Sequence, residues 1–341
     1  MKLPLDFNLK LIFRLVFAGV ILAAALFPAI RAITDAAGIK IKFEYLFPIA
    51  VILWGWVVLI CDMRIYMLFE GRRYWPAPLR NLFMRREQRR LTLLLEIVKT
   101  PGDDRRRYLE ASVEYALFPI DEGGDAYVAH PTRLGNLIEA FETYPKVKYG
   151  LDAIFYWYRL WVALDKDLRE EIENTQSVVD STIYVTFAFY LSGLIMFGYA
   201  SAISLSGCAH YLGWLSPLHL PYVPTPLWLC VLGVICLIVG YLIYRLSLTA
   251  HVQYGELFKS VFDQFRAKLQ FDDVLQEVGS ISGSPYLSFK SRREKNRIIW
   301  RYLRWHRIRD ETTGKNLTVK EWKDRPTTAD GDGSSSGAKA E

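Results

Sequence analysis

Four long apolar runs, separated by charged segments, set the pattern of this chain: residues 15–30, 45–61, 182–205 and 227–244. Each approaches or exceeds the roughly 20 residues that a helix needs to cross a bilayer core. Between and after them the apolar positions recur at helical spacing. Residues 79–99 mix leucines with an arginine cluster, and residues 104–117 place Leu109, Val113, Ala116 and Leu117 three and four apart. Pro101, Gly102 and Asp103 mark a turn between them. Residues 250–278 carry a stripe of Tyr254, Leu257, Phe258, Val261, Phe262, Phe265, Leu269 and Val274. A helix that leaves the membrane with such a stripe should pack on the first charged segment. No run alternates with period two for long, so no sheet is expected.

The fold class that follows is all-α: a polytopic membrane protein with four transmembrane helices and a helical cytoplasmic body. Residues 1–69 form a first transmembrane hairpin and 70–180 a helical cytoplasmic domain. Residues 181–248 form a second hairpin, and 249–310 are cytoplasmic helices packing on 70–180. Residues 279–288 read as a Gly, Ser and Pro loop, and 311–341 as a tail that is disordered after about 325. Residues 165–180 are acidic and helical and run straight into the third apolar run, as a stiff stalk would.

Charge sets the orientation. The excess of 42 Lys and Arg over 36 Asp and Glu is modest, but its placement is uneven. Arg64, Arg72, Arg73, Arg80, Arg85, Arg86, Arg89 and Arg90 follow the second run; Arg245, Lys259, Arg266 and Lys268 follow the fourth. The loop 206–226 has no Lys or Arg. By the positive-inside rule both termini and the 70–180 segment are cytoplasmic, in the inner membrane of the cell. The flanks of the first run (Lys2, Lys10 and Arg14 before it, Arg31 closing it) suit a retained helix better than a cleaved signal.

Chemistry is harder to find. No catalytic constellation, phosphate loop or metal-ligand spacing is present, and neither a cofactor nor a metal is expected. Cys61, Cys208, Cys230 and Cys236 read as free thiols. Thr132, Arg133, Asn136 and Glu139 open a helix and form a candidate polar pocket, with a structural brace as the blander reading. Leu151, Ile154, Phe155, Tyr158 and Trp161 fall on one helix face, suited either to headgroups or to a core. Residues 292–309 are basic and amphipathic. Arg293, Arg297, Arg301, Arg304 and Trp305 point first to anionic lipid headgroups, next to a protein partner, with nucleic acid unlikely. Gly19, Gly193, Gly198, Gly233 and Gly240 suit close helix packing, within the chain or in a homo-oligomer.

These features favour a membrane-anchored scaffold or signalling component that acts through protein partners at the cytoplasmic face. The alternative is an oligomeric channel or membrane-perturbing effector gated by its cytoplasmic helical domain. A third reading, a lipid-acting enzyme using groups such as Asp62, His130 and His251, has no motif behind it, and an enzyme is not favoured.

Overall fold

A computed structural model describes residues 9–100, 104–121, 123–124, 126–211, 223–282, 290–309 and 314–323. The helices, in chain order, are α1 (Leu9–Ala36), α2 (Phe43–Ile60), α3 (Asp62–Phe69), α4 (Ala77–Lys99), α5 (Arg105–Tyr115), α6 (Arg133–Tyr149), α7 (Ala153–Ala163), α8 (Lys166–Tyr211), α9 (Pro226–Phe265), α10 (Asp272–Ser282), α11 (Arg292–Trp305) and α12 (Val319–Lys323). The fold is all-α, and four helices, α1, α2, α8 and α9, are long and apolar enough to cross a membrane. The most apolar window of α9 buries only 17% of itself inside the chain. An apolar helix so little covered by protein needs lipid around it.

Helices α8 and α9 organise the molecule. At about 1.5 Å per residue, the 46 residues of α8 and the 40 of α9 reach about 69 and 60 Å. A bilayer core is roughly 30 Å thick, so each extends well beyond its apolar run. The extensions are the posts on which the polar body is built. Ala18, Leu22, Val58 and Ala188 of the spanning helices share one continuous core with Phe141, Tyr156, Leu160, Ile172, Phe258, Phe262 and Ile299 of the body. Residues 250–265 pack on α6, so the body is built from both charged segments.

Small residues allow the closest approaches. A Cβ on Gly19 would overlap the Val51 carbonyl, and one on Gly55 would overlap Leu15, so α1 and α2 touch backbone to backbone. Gly193 and Gly233 oppose each other between α8 and α9, where an added Cβ would lie 3.0 Å from the Gly233 carbonyl oxygen. Gly240 faces the ring of Tyr190. Gly198 is different: among the described residues nothing lies within 4 Å of its added Cβ. Pro28 and Pro48 lie within α1 and α2, which run on past them.

Four details depart from the expected pattern. The 250–278 helix breaks: α9 ends at Phe265, a 3-10 turn occupies Arg266–Lys268, and α10 begins at Asp272. The expected loop at 279–288 starts later, because α10 runs to Ser282; residues 283–289 lie outside the described residues. A two-stranded antiparallel sheet is present, with β1 (Arg307–Arg309) pairing β2 (Asn316–Thr318) and Ile308 opposite Leu317. Its strands are three residues each, too short to leave a period-two signal. Finally, α7 buries Tyr156 and Leu160, both 0% exposed, rather than Ile154 and Tyr158. The turn at 101–103, most of the loop before α9 and the tail after 323 lie outside the described residues.

Candidate functional site

The segment 130–136 forms a brace at the start of α6. Thr132 caps the helix, its Oγ1 accepting from the Gly135 amide at 2.9 Å. Gly135 lies flat on the Glu70 carbonyl, where a Cβ would collide. Asn136 is buried and uses both ends of its amide: Oδ1 accepts from the His130 amide, and Nδ2 donates to Glu87 Oε2 at 3.1 Å. Glu87 also pairs with Arg90 at 3.1 Å, and Arg90 pairs with Glu114 in α5 and sits over the Phe118 ring. A buried amide bonded at both ends in this way fixes orientation. Thr132 and Asn136 are therefore engaged within the chain.

Glu139 belongs to a second network. Arg72 lies 2.7 Å from Glu70, 2.6 Å from Glu139 and 3.0 Å from Glu142. Three carboxylates around one guanidinium leave an excess of negative charge. Burial pushes the Glu70 carboxyl up to about 7, with Arg72 opposing and Glu142 and Glu139 reinforcing. Burial also raises Glu142 and lowers His130.

Towards the spans, Tyr66 donates to Asp180 at 2.6 Å, Arg14 pairs with Asp180 at 2.5 Å, and Tyr184 donates to Asp62 at 2.7 Å. Sequence reading missed these partners, which lie 114 to 166 positions apart and carry no motif. Asp62, Tyr66, Glu70, Glu142, Asp180 and His251 line one cavity of about 380 Å³. His251 is buried; its Nδ1 lies 2.7 Å from the Ser247 carbonyl oxygen and its Nε2 has no partner. Asp62 and His251 thus share a cavity, whereas His130 lies outside its walls.

Arg133 points elsewhere. It lines a second cavity of about 520 Å³, with Phe69, Trp75, Tyr190, Tyr241 and Tyr244 as walls and Arg86 and Arg245 beside it. Phe69 stacks on Tyr190 and Tyr244 with centroids 6.1 and 6.0 Å apart. The candidate pocket therefore divides: Thr132 and Arg133 reach this cavity, while Asn136 and Glu139 bind within the protein.

On α11 the arginines are not equivalent. Arg297 and Arg304 are exposed, and Arg304 covers the ring of the exposed Trp305 at 5.3 Å. Arg293 and Arg301 are half-buried. The backbone of Arg293 meets Gly150, whose φ of +71° ends α6, and its Nε is buried without a partner. Burial, with Arg309 and Arg297 nearby, lowers Arg301. Arg293 also lines a cleft of about 540 Å³ with Lys148, Arg266, Arg292 and Lys295.

Among the described residues no group of three or more His, Cys, Asp or Glu is placed to hold a metal ion, and all four cysteines are free. No family model, curated protein or solved structure matches this chain.

Proposed function

We propose that this protein is a membrane-anchored scaffold or signalling component that acts through protein partners. In this reading it spans the inner membrane four times, with both termini and the helical body in the cytoplasm, as the Lys and Arg flanks of the runs suggest. The observation that carries the reading is the outer face of α7. Ile154, Tyr158 and Val162 follow one another at four-residue spacing and are 73%, 75% and 66% exposed. The opposite face, Tyr156 and Leu160, is core. A helix that is apolar on both faces has a second surface to cover. Ile154 and the exposed Met63 of α3 both line the 380 Å³ cavity, so exposed apolar side chains flank it on α7 and on α3. The shared core of body and spans makes the surface a rigid platform.

Affinity capture of the tagged full chain from its native membranes, under mild detergent, tests this. The wild-type chain is expected to carry a stoichiometric second protein, or a second copy of itself, that Tyr158→Asp releases. Capture of the same complex by a folded Tyr158→Asp variant would refute it.

Gly198 favours a second reading, the oligomeric channel or membrane-perturbing effector. Its open face, beside the exposed Leu194 and Leu205, leaves room on α8 for a helix of another copy. A conductance lost on Gly198→Leu with assembly intact would support it.

A further inference from the structure

The cavity beside Arg133 sits where the spans meet the body. Tyr190 and Tyr241 belong to the third and fourth apolar runs, and Arg245 is the first charge after the fourth. One end of the cavity therefore lies at hydrocarbon depth and the other at headgroup level. Arg86, Arg133 and Arg245 converge on it from α4, α6 and α9. None of the three forms an ion pair with another described residue. The one carboxylate in the lining, Glu87, is already held by Arg90 and Asn136. Three uncompensated guanidinium groups beside an aromatic wall form a site with a positive end and an apolar end. The lip is held under strain: Tyr74, which lines the cavity, has φ +68°, a conformation that side chains rarely adopt. Trp75 beside it is fixed by donation from its Nε1 to the Leu68 carbonyl at 2.8 Å.

We propose that this cavity binds one anionic diacyl phospholipid, with its phosphate among Arg86, Arg133 and Arg245 and an acyl chain against Tyr190 and Tyr241. The chemistry is that of arginine on phosphate through charge-assisted bonds, with Arg133 half-buried and Arg86 and Arg245 exposed at the opening. The apolar wall separates a lipid from a soluble phosphate, because only the lipid covers Phe69, Tyr190 and Tyr241. The exposed Ile238 and Leu242 continue the apolar surface along α9, where the chain can run. Binding here would tie the start of α6, and with it the body, to the composition of the inner leaflet.

Native mass spectrometry of the purified full-length protein, released from detergent with added lipid, tests the site. The probes are dioleoyl phosphatidylglycerol, dioleoyl phosphatidylcholine and glycerol 1-phosphate. One phosphatidylglycerol is expected to stay bound at concentrations roughly tenfold below those needed for phosphatidylcholine, because the choline cation offsets the phosphate charge that the arginines attract. Glycerol 1-phosphate should not displace it. Arg86→Gln/Arg133→Gln/Arg245→Gln should lower retention to the phosphatidylcholine level, and Arg106→Gln, on the exposed side of α5 and outside the cavity wall, should leave it unchanged. Equal retention of the two lipids by the wild type would overturn the proposal. So would unchanged retention in the folded triple variant. Displacement by glycerol 1-phosphate would also overturn it, in favour of a soluble phosphate ligand. If the triple variant does not fold, Arg133→Gln alone and Tyr241→Ala serve instead, and retention equal to wild type in both overturns it.

Discussion

Asn136 in the first turn of α6 donates to Glu87 in the middle of α4 across 3.1 Å, while its other amide atom holds the backbone of His130. One buried side chain thus joins the segment before α6 to the arginine-rich helix below the spans. Asn136→Ala leaves the His130 amide and one Glu87 lone pair unpaired in a buried setting. Such losses cost about 1–3 kcal/mol. A lowered thermal midpoint of the purified protein in detergent, with its helicity preserved, is the expected result. Asn136→Asp should cost more, because it sets a second carboxylate against Glu87.

Glu70 gives the body a pH dependence of known sign. Its carboxyl titrates near 7 in the folded protein against an ordinary 4.5, so the folded state binds more protons between those values. Stability from this group is fully present below about pH 4.5 and falls as pH rises towards 7. The loss is on the order of 3 kcal/mol at and above neutrality. Glu70→Gln removes the cost. Its advantage over wild type in thermal midpoint should grow from pH 5 to pH 7 and then level off. A difference that stays constant with pH would show that Glu70 is not the titrating group.

Glycine substitutions should separate the packed positions from the open one. Gly19→Ala drives a methyl group into the Val51 carbonyl, and two backbones must part to admit it. Overpacking of this kind typically costs 1–3 kcal/mol. Gly198→Ala meets nothing among the described residues and should leave the monomer's thermal stability unchanged or slightly raised. Equal losses at the two positions would contradict the packing described here.

The spans and most of the body helices were legible because they rest on composition and on helical periodicity, which are local. The continuity of 165–180 with the third run was also legible, since no Gly or Pro interrupts it. The face of α7 was not. Ile154, Phe155, Tyr156, Trp157 and Tyr158 are apolar or aromatic all round the helix, so periodicity alone could not choose the inward side. Tyr156 is chosen by α11: its hydroxyl donates to the Asn296 carbonyl at 2.9 Å, 140 positions away. The Tyr66 to Asp180 and Tyr184 to Asp62 bonds were invisible for the same reason. Gly55 carries no signal in the sequence beyond being one small residue in an apolar run, although it sits opposite Leu15 as closely as Gly19 sits against Val51. For the candidate site, the residues 132–139 stood out in the sequence, but only the structure divides them. Asn136 serves the brace, Glu139 pairs with Arg72, and Arg133 faces the arginine-lined cavity.

The most direct test of the partner-binding reading is photo-crosslinking in cells. Tyr158 is replaced by a benzophenone amino acid in the full-length protein, with the buried Leu160 as the control position. Irradiation should give one discrete product at Tyr158, of the mass of this chain plus one protein, and none at Leu160. A Tyr158 product containing only lipid, or no product in membranes where the protein is folded, would contradict a protein-docking role for the outer face of α7.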